Sequence, residues 1–119
     1  MNFYESAFWY TAYMKELVKL VVFVPEKDAD EVREALGKAG AGRIGEYSFC
    51  SFSLKGVGRF KPSDNANPHI GTANQLEAVS EERIEVACEK HQAADIIQVI
   101  KDVHPYEEVV IDIYPMLSL

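Results

Sequence analysis

Leu17-Val-Lys-Leu-Val-Val-Phe-Val-Pro25 is an apolar, largely β-branched run closed by a proline, and it reads as a central strand covered on both faces. Its neighbours must come from the rest of the chain. Directly after it, Asp28 is placed to cap a helix, with Glu31 three residues on as its capping-box partner. Ala29, Val32, Leu36 and Ala39 then recur at helical spacing, and Gly40 can take the left-handed C-cap.

Further along, Tyr47–Leu54 (YSFCSFSL) alternates with period two. Cys50, Phe52 and Leu54 share the expected inner face with Ser48, while Tyr47, Phe49, Ser51 and Ser53 share the other. Arg83–Glu89 alternates again, with Ile84, Val86 and Cys88 inward and Arg83, Glu85 and Glu89 outward. Ala93–Val103 is a second amphipathic helix carrying Ile96, Ile97, Ile100 and Val103, stopped at His104-Pro105 because proline disfavours helical geometry in the residue before it. Val109–Tyr114 is the last strand, with Val109, Ile111 and Ile113 on one face. Between the second and third strands, Lys55–Val79 carries Gly56, Gly58, Pro62, Asn65, Asn67, Pro68, Gly71 and Asn74 and reads as a long loop. Structureless loops beyond about 12–15 residues are usually functional.

The order predicts an α+β fold, the ferredoxin-like βαββαβ sandwich with both helices on one face of an antiparallel sheet. Tyr47, Phe49 and Tyr114 alternate out of phase with the core, so the second face is expected to be partly apolar and to be covered by association with further copies of the chain. Residues 1–16 form an aromatic extension to a domain over 17–119; Phe3, Ala7 and Tyr10 fall at helical spacing, which predicts a short helix packed on the sheet or on a neighbouring subunit. Met14-Lys15-Glu16 also reads as a second, more natural start.

The chain has 119 residues, enough for one domain, and a net charge of -7 that opposes binding to nucleic-acid phosphates or to an anionic membrane face. Its apolar runs are too short to span a bilayer, and its N-terminus lacks the pattern of a secretion signal. Cys50 and Cys88 are not spaced as a disulfide framework, so a reducing cytoplasm is the expected setting.

The histidines His69, His91 and His104 lack metal-site spacing. Glu81-Glu82 and Glu107-Glu108 read as solvated charges, since neighbours in a strand point apart. Gly56-Val57-Gly58 does not precede a helix, as phosphate-binding fingerprints require. No catalytic constellation stands out, and neither a catalytic residue nor a cofactor is expected. His104-Pro-Tyr-Glu-Glu108 is more specific: a helix ends, proline fixes a turn, and Tyr106 is delivered just before a strand. One reading is a tight corner braced by His104 and Tyr106. The other places His104, Tyr106 and Glu107 in an inter-subunit cleft, with Gly56, Gly58, Phe60, Pro62 and His69 on a loop that meets a partner. A rival reading is a metal site made between subunits from Cys50, His69, His91 or His104.

Over Lys19–Met116 the sequence resembles the small domain of the NIF-three-like proteins of the YqfO type, which also occurs as a stand-alone bacterial protein. The matching stretches are GAGRIGEYSFCSF (Gly40–Phe52), GVGRFKP (Gly56–Pro62), NPHIG (Asn67–Gly71), LEAVSEERIEV (Leu76–Val86) and HPYEEVVIDIYPM (His104–Met116). The resemblance implies a fold related to the CutA and PII signalling proteins, a trimeric homo-oligomer, and a loop at Lys55–Val79 in the place of the partner-binding loop of PII. It also implies that the dinuclear metal site and the GTP cyclohydrolase label of full-length relatives travel with flanking domains outside the matched stretch. Phe49 stands where the family commonly has histidine, so any ligand role at that position is lost. The ligand expected is an unidentified protein or small molecule, with GTP cyclohydrolase-like accessory function as an alternative.

Overall fold

Strand β1 (Leu17–Pro25) hides Val18, Leu20, Val22 and Val24 on one face, and the computed structural model, which describes residues 16–117, builds its core on them. β1 pairs antiparallel with β3 (Glu77–Glu89) from Leu17↔Glu89 to Pro25↔Glu81, and with β4 (Ile111–Pro115) from Val18↔Pro115 to Val22↔Ile111. Among the described strands β2 (Phe52–Phe60) pairs only with β3, so the order is β2-β3-β1-β4. Helices α1 (Ala29–Lys38) and α2 (Ala93–Val103) cover one face, where Val32, Leu36, Ile96 and Ile100 pack with Ile84, Val86 and Cys88. Full burial of such a side chain is worth about 1.5–3 kcal/mol. This is the α+β, ferredoxin-like sandwich that the element order predicts. The aromatic extension and its expected helix over residues 3–13 lie outside the described residues.

The two ends of α1 differ from each other. At the C-terminus Gly40 takes φ 96°, its N–H bonds to Gly37 O at 3.1 Å and Ala41 N–H bonds to Leu36 O at 3.0 Å. That is a Schellman closure, as the glycine predicts. At the N-terminus the expected capping box is not formed. Asp28 ends a short 3₁₀ turn (Glu26–Asp28), and its backbone is already helical at φ -103° and ψ -2°. A cap side chain reaches the helix N–H groups from extended backbone, so Asp28 makes no capping bond.

The segment before β2 departs most from expectation. Tyr47–Leu54 is not one strand: Ile44 and Tyr47 close a small turn, and left-handed backbone at Gly42, Gly45 and Phe49 carries the chain irregularly up to Phe52. Gly42 is held between Ala87 O (2.8 Å from its N–H) and the Cys50 N–H (2.9 Å from its carbonyl), and a Cβ there would run into the Cys50 backbone. Once β2 begins, Phe52 faces Glu85 and Leu54 faces Arg83. Glu85 and Arg83 point away from the helices, so Phe52 and Leu54 lie on the open face, 62% and 48% exposed, and not inward. Cys50 is only partly buried and sits ahead of the strand, not beside Cys88 within the sheet. Tyr47 belongs to the turn and the Phe49 ring lies against Gly37 of α1, so neither covers the open face; Tyr114, opposite Lys19, does lie there. β2 and β3 also consume both ends of the expected loop, leaving residues 61–76 and placing Gly56 and Gly58 inside β2.

Candidate functional site

α2 stops at His104, whose N–H still bonds to Ile100 O at 2.9 Å while its ψ of 135° turns the chain out of the helix. The His104 ring is buried behind the corner. Its Nε2 lies 2.7 Å from Phe23 O, and its Nδ1 accepts the Tyr106 N–H at 3.1 Å. One nitrogen donates and the other accepts, which is the neutral ring with its proton on Nε2. Burial, opposed by the Phe23 carbonyl and nearby carboxylates, pushes the pKa of His104 down.

Held in this way, Tyr106 donates its O–H to Glu81 Oε2 at 2.7 Å and meets the Phe60 ring edge-on at 6.0 Å between centroids. Burial and the neighbouring carboxylate raise the phenol pKa, so it remains a protonated donor. Glu81 is 7% exposed, on the face of β3 away from the helices. Its carboxylate crosses the backbone of β2 at Gly58, where a Cβ would collide with it. The glycine makes room for a buried charge.

Above this pair is a cavity of about 560 Å³. Phe23, Phe60, Pro62, Ile70, Tyr106 and Val110 supply apolar wall, Glu81 supplies the charged floor, and the exposed Arg59, Lys61, His69, Glu107 and Glu108 stand at the rim. Glu107 Oε2 accepts the Asn67 N–H at 3.0 Å, tying the corner to the 61–76 loop.

The His104–Glu108 corner and the loop, separate features in the sequence, therefore meet within one chain. Tyr106, Glu107, Gly58, Phe60, Pro62 and His69 all line the cavity; His104 braces it from behind, and Gly56 borders a smaller neighbouring depression. Glu81 and Phe23 were not singled out by the sequence. The Glu81-Glu82 pair does point to opposite faces, but neither residue is a solvated charge: Glu82 accepts from Arg33 Nη1 at 2.8 Å on the helix side. The available signal was the absence of side chains at Gly56 and Gly58 opposite an acidic strand position. Of the residues in the metal reading, His91 pairs with Glu89 at 2.5 Å and His104 has both nitrogens engaged. Among the described residues no group of three or more His, Cys, Asp or Glu side chains is placed to hold a metal ion.

No family model matches the chain. A Bacillus subtilis protein named GTP cyclohydrolase 1 type 2 homolog is 50% identical to it over 104 residues, which cover 87% of this chain but 28% of that protein. The crystal structure of a Bacillus cereus protein related to NIF3 superposes with a TM-score of 0.76 at 46% identity, covering 87% of this chain and 26% of the other. The periplasmic divalent cation tolerance protein CutA of Archaeoglobus fulgidus shares the fold at nearly full length of both chains (84% and 83%), with a TM-score of 0.63 and 16% identity. So does GlnK of B. subtilis, solved with ATP, at a TM-score of 0.57 and 12% identity over 86% of this chain and 84% of that one. The chain is thus similar to one region of NIF3-related proteins, spanning 28% of the length of such a relative, and shares its fold with CutA.

Proposed function

We propose that this chain is a non-catalytic binding or regulatory module, a homo-oligomer that takes a ligand in the cavity between the His104–Glu108 corner and the 61–76 loop. The observation that carries the reading is the Tyr106–Glu81 hydrogen bond at the floor of an aromatic cavity. A few convergent polar groups in a mainly apolar cavity are the usual anatomy of a small-molecule site. The groups at the floor suit recognition better than turnover. His104 has both nitrogens committed, and the Tyr106 phenol is held protonated, so neither is poised to exchange a proton near neutrality. Cys88, a possible nucleophile, is buried and its thiol pKa is pushed up.

Leu17, Phe52, Leu54, Tyr114 and Met116 are each at least 37% exposed on the face away from the helices. Apolar burial is worth roughly 25 cal/mol per Å², and a closed assembly could cover these side chains symmetrically. The family resemblance favours a trimer. A cytoplasmic setting fits two free cysteines, and no described helix is long and apolar enough to cross a membrane. Light scattering should report more than one chain per particle at micromolar concentration, and a thermal-shift screen should find a small molecule that raises the melting temperature. A monomer that no small molecule stabilises would end the proposal. The name carried by the relatives favours a second reading, an accessory part of a GTP cyclohydrolase-like metalloprotein; stoichiometric metal in the purified chain, lost on His104→Ala, would move the assignment to it.

A further inference from the structure

Taking the cavity as a ligand site, as above, we propose that it selects a small planar cation of the amidinium or guanidinium class, whose paired N–H donors meet Glu81 and whose body lies among Phe23, Phe60 and Tyr106. Ionised, the Glu81 carboxylate offers about four acceptor positions, and the structure gives it one neutral donor, the Tyr106 O–H. Among the described residues it has no ion pair. Asp28 stands close enough to bear electrostatically on both His104 and Tyr106, and its Oδ2 is buried without a hydrogen-bond partner. At the floor of the cavity, then, the buried charge is negative and has one neutral donor, with Asp28 adding to the negative field from outside the lining.

The rim does not reverse this sign. Arg59, Lys61 and His69 share it with Glu107 and Glu108, all exposed, and exposed charges are screened by salt far more than a buried one. An anion in the cavity would lose its hydration beside a buried carboxylate, which is strongly unfavourable. A planar fork of N–H groups matches both oxygens of a carboxylate, whereas an ammonium is a point charge. The walls favour the same shape: cations stack on aromatic faces, and Phe23 already carries the Arg83 guanidinium 5.7 Å from its centroid. A volume of about 560 Å³ lies within the roughly 300–1,000 Å³ of small-molecule sites.

Benzamidine, benzamide and benzoate share one shape and differ in charge, so calorimetric titration of the full chain with each reads the sign directly. Benzamidine should bind roughly tenfold or more tighter than benzamide, the size of a charge-assisted contact, and benzoate should bind more weakly than either. Its resonance shifts should centre on Phe60 and Tyr106. Glu81→Gln should erase the preference for benzamidine over benzamide, while Tyr106→Phe, which removes a competing donor and leaves the carboxylate, should keep it. If Glu81→Gln does not fold, Gly58→Ala gives the same reading by displacing the carboxylate. Equal or tighter binding of benzoate or benzamide would overturn the cationic class yet leave the cavity a binding site. Failure of all three to bind would also overturn this class, and the thermal screen above would then decide the cavity itself.

Discussion

β1 and β2 are alike in length, nine residues each, and both carry several large apolar side chains, yet they end in different surroundings. β1 lies between β3 and β4, and Val18, Leu20, Val22 and Val24 are all 5% exposed or less. Among the described strands β2 has a single neighbour, and Phe52, Leu54 and Val57 remain 48–62% exposed. Alternation gives the period of a strand but not its phase. A shift of one residue sends every side chain to the other face, and only the partner's register decides which face is buried. In β1 the apolar run is so continuous that the phase hardly matters. In β2 it decides everything, and Phe52↔Glu85 puts the aromatic residues outside.

The sharpest test of this contrast is truncation on each side of it. Ile100→Ala empties space in the core that α2 shares with β1, and should cost about 2–5 kcal/mol in denaturant unfolding. Phe52→Ala removes a larger side chain from the open face and should cost under about 1 kcal/mol within the subunit, showing itself instead as weaker self-association in light scattering. Comparable losses of subunit stability would mean that the open face is packed as tightly as the core.

Gly42 marks the boundary between the two regions, where the irregular segment is pinned to β3. Gly42→Ala meets both a φ of 77° and the Cys50 backbone, and should destabilise by about 1–3 kcal/mol. Gly45, at φ 55° in open space, has only the backbone penalty and should cost about 1 kcal/mol when changed to alanine. Equal costs at the two positions would show that the close backbone approach at Gly42 contributes nothing.

How far the molecule was legible follows from the same contrast. Strand β1 and helix α2 coincide with the sequence reading because hydrophobic period, proline punctuation and length agree in both. Gly40 was legible because a left-handed closure is a local demand of the backbone. The start of β2 was not, because serines alternating with aromatic residues imitate a strand where Gly42, Gly45 and Phe49 in left-handed geometry break the approach to one. In the candidate site, Tyr106 was legible from its place after a helix-ending His-Pro, and Phe60, Pro62 and His69 from their place on a long excursion. Glu81 was hidden, since its burial depends on Gly58 across the hairpin and on Tyr106, 25 residues away.

His104 ties that site to the central strand, and its protonation should loosen it. Its folded-state pKa lies below the ordinary histidine value because the charged ring is disfavoured by burial. The unfolded chain therefore binds more protons in the window between the two values, and stability rises with pH there. The contribution is complete above the unfolded value of about 6.5 and is lost as pH falls through the lowered folded one. Protonation also costs the bond from the Tyr106 N–H to Nδ1. Unfolding free energies followed downward from pH 7.5 should fall faster in the wild type than in His104→Gln; parallel curves would remove His104 from the account.

The smallest expected effect is at Asp28, and there the direction matters more than the size. A true N-cap aspartate loses about 0.5–2 kcal/mol when changed to alanine. Asp28 makes no capping bond, and its Oδ2 is buried without a partner, so its removal gives up little and relieves an unsatisfied acceptor. Asp28→Ala should therefore leave stability within about 0.5 kcal/mol of the wild type, or raise it slightly. A second readout separates a silent residue from one that acts on the site. Asp28 is among the charges that favour the protonated form of His104, so its removal should move the His104 titration, followed by NMR, to still lower pH. A stability loss of a full cap with no movement of His104 would return Asp28 to the helix terminus. Unchanged stability with a displaced His104 titration would place it behind the cavity beside His104, as a charge in the field that His104 and Tyr106 share.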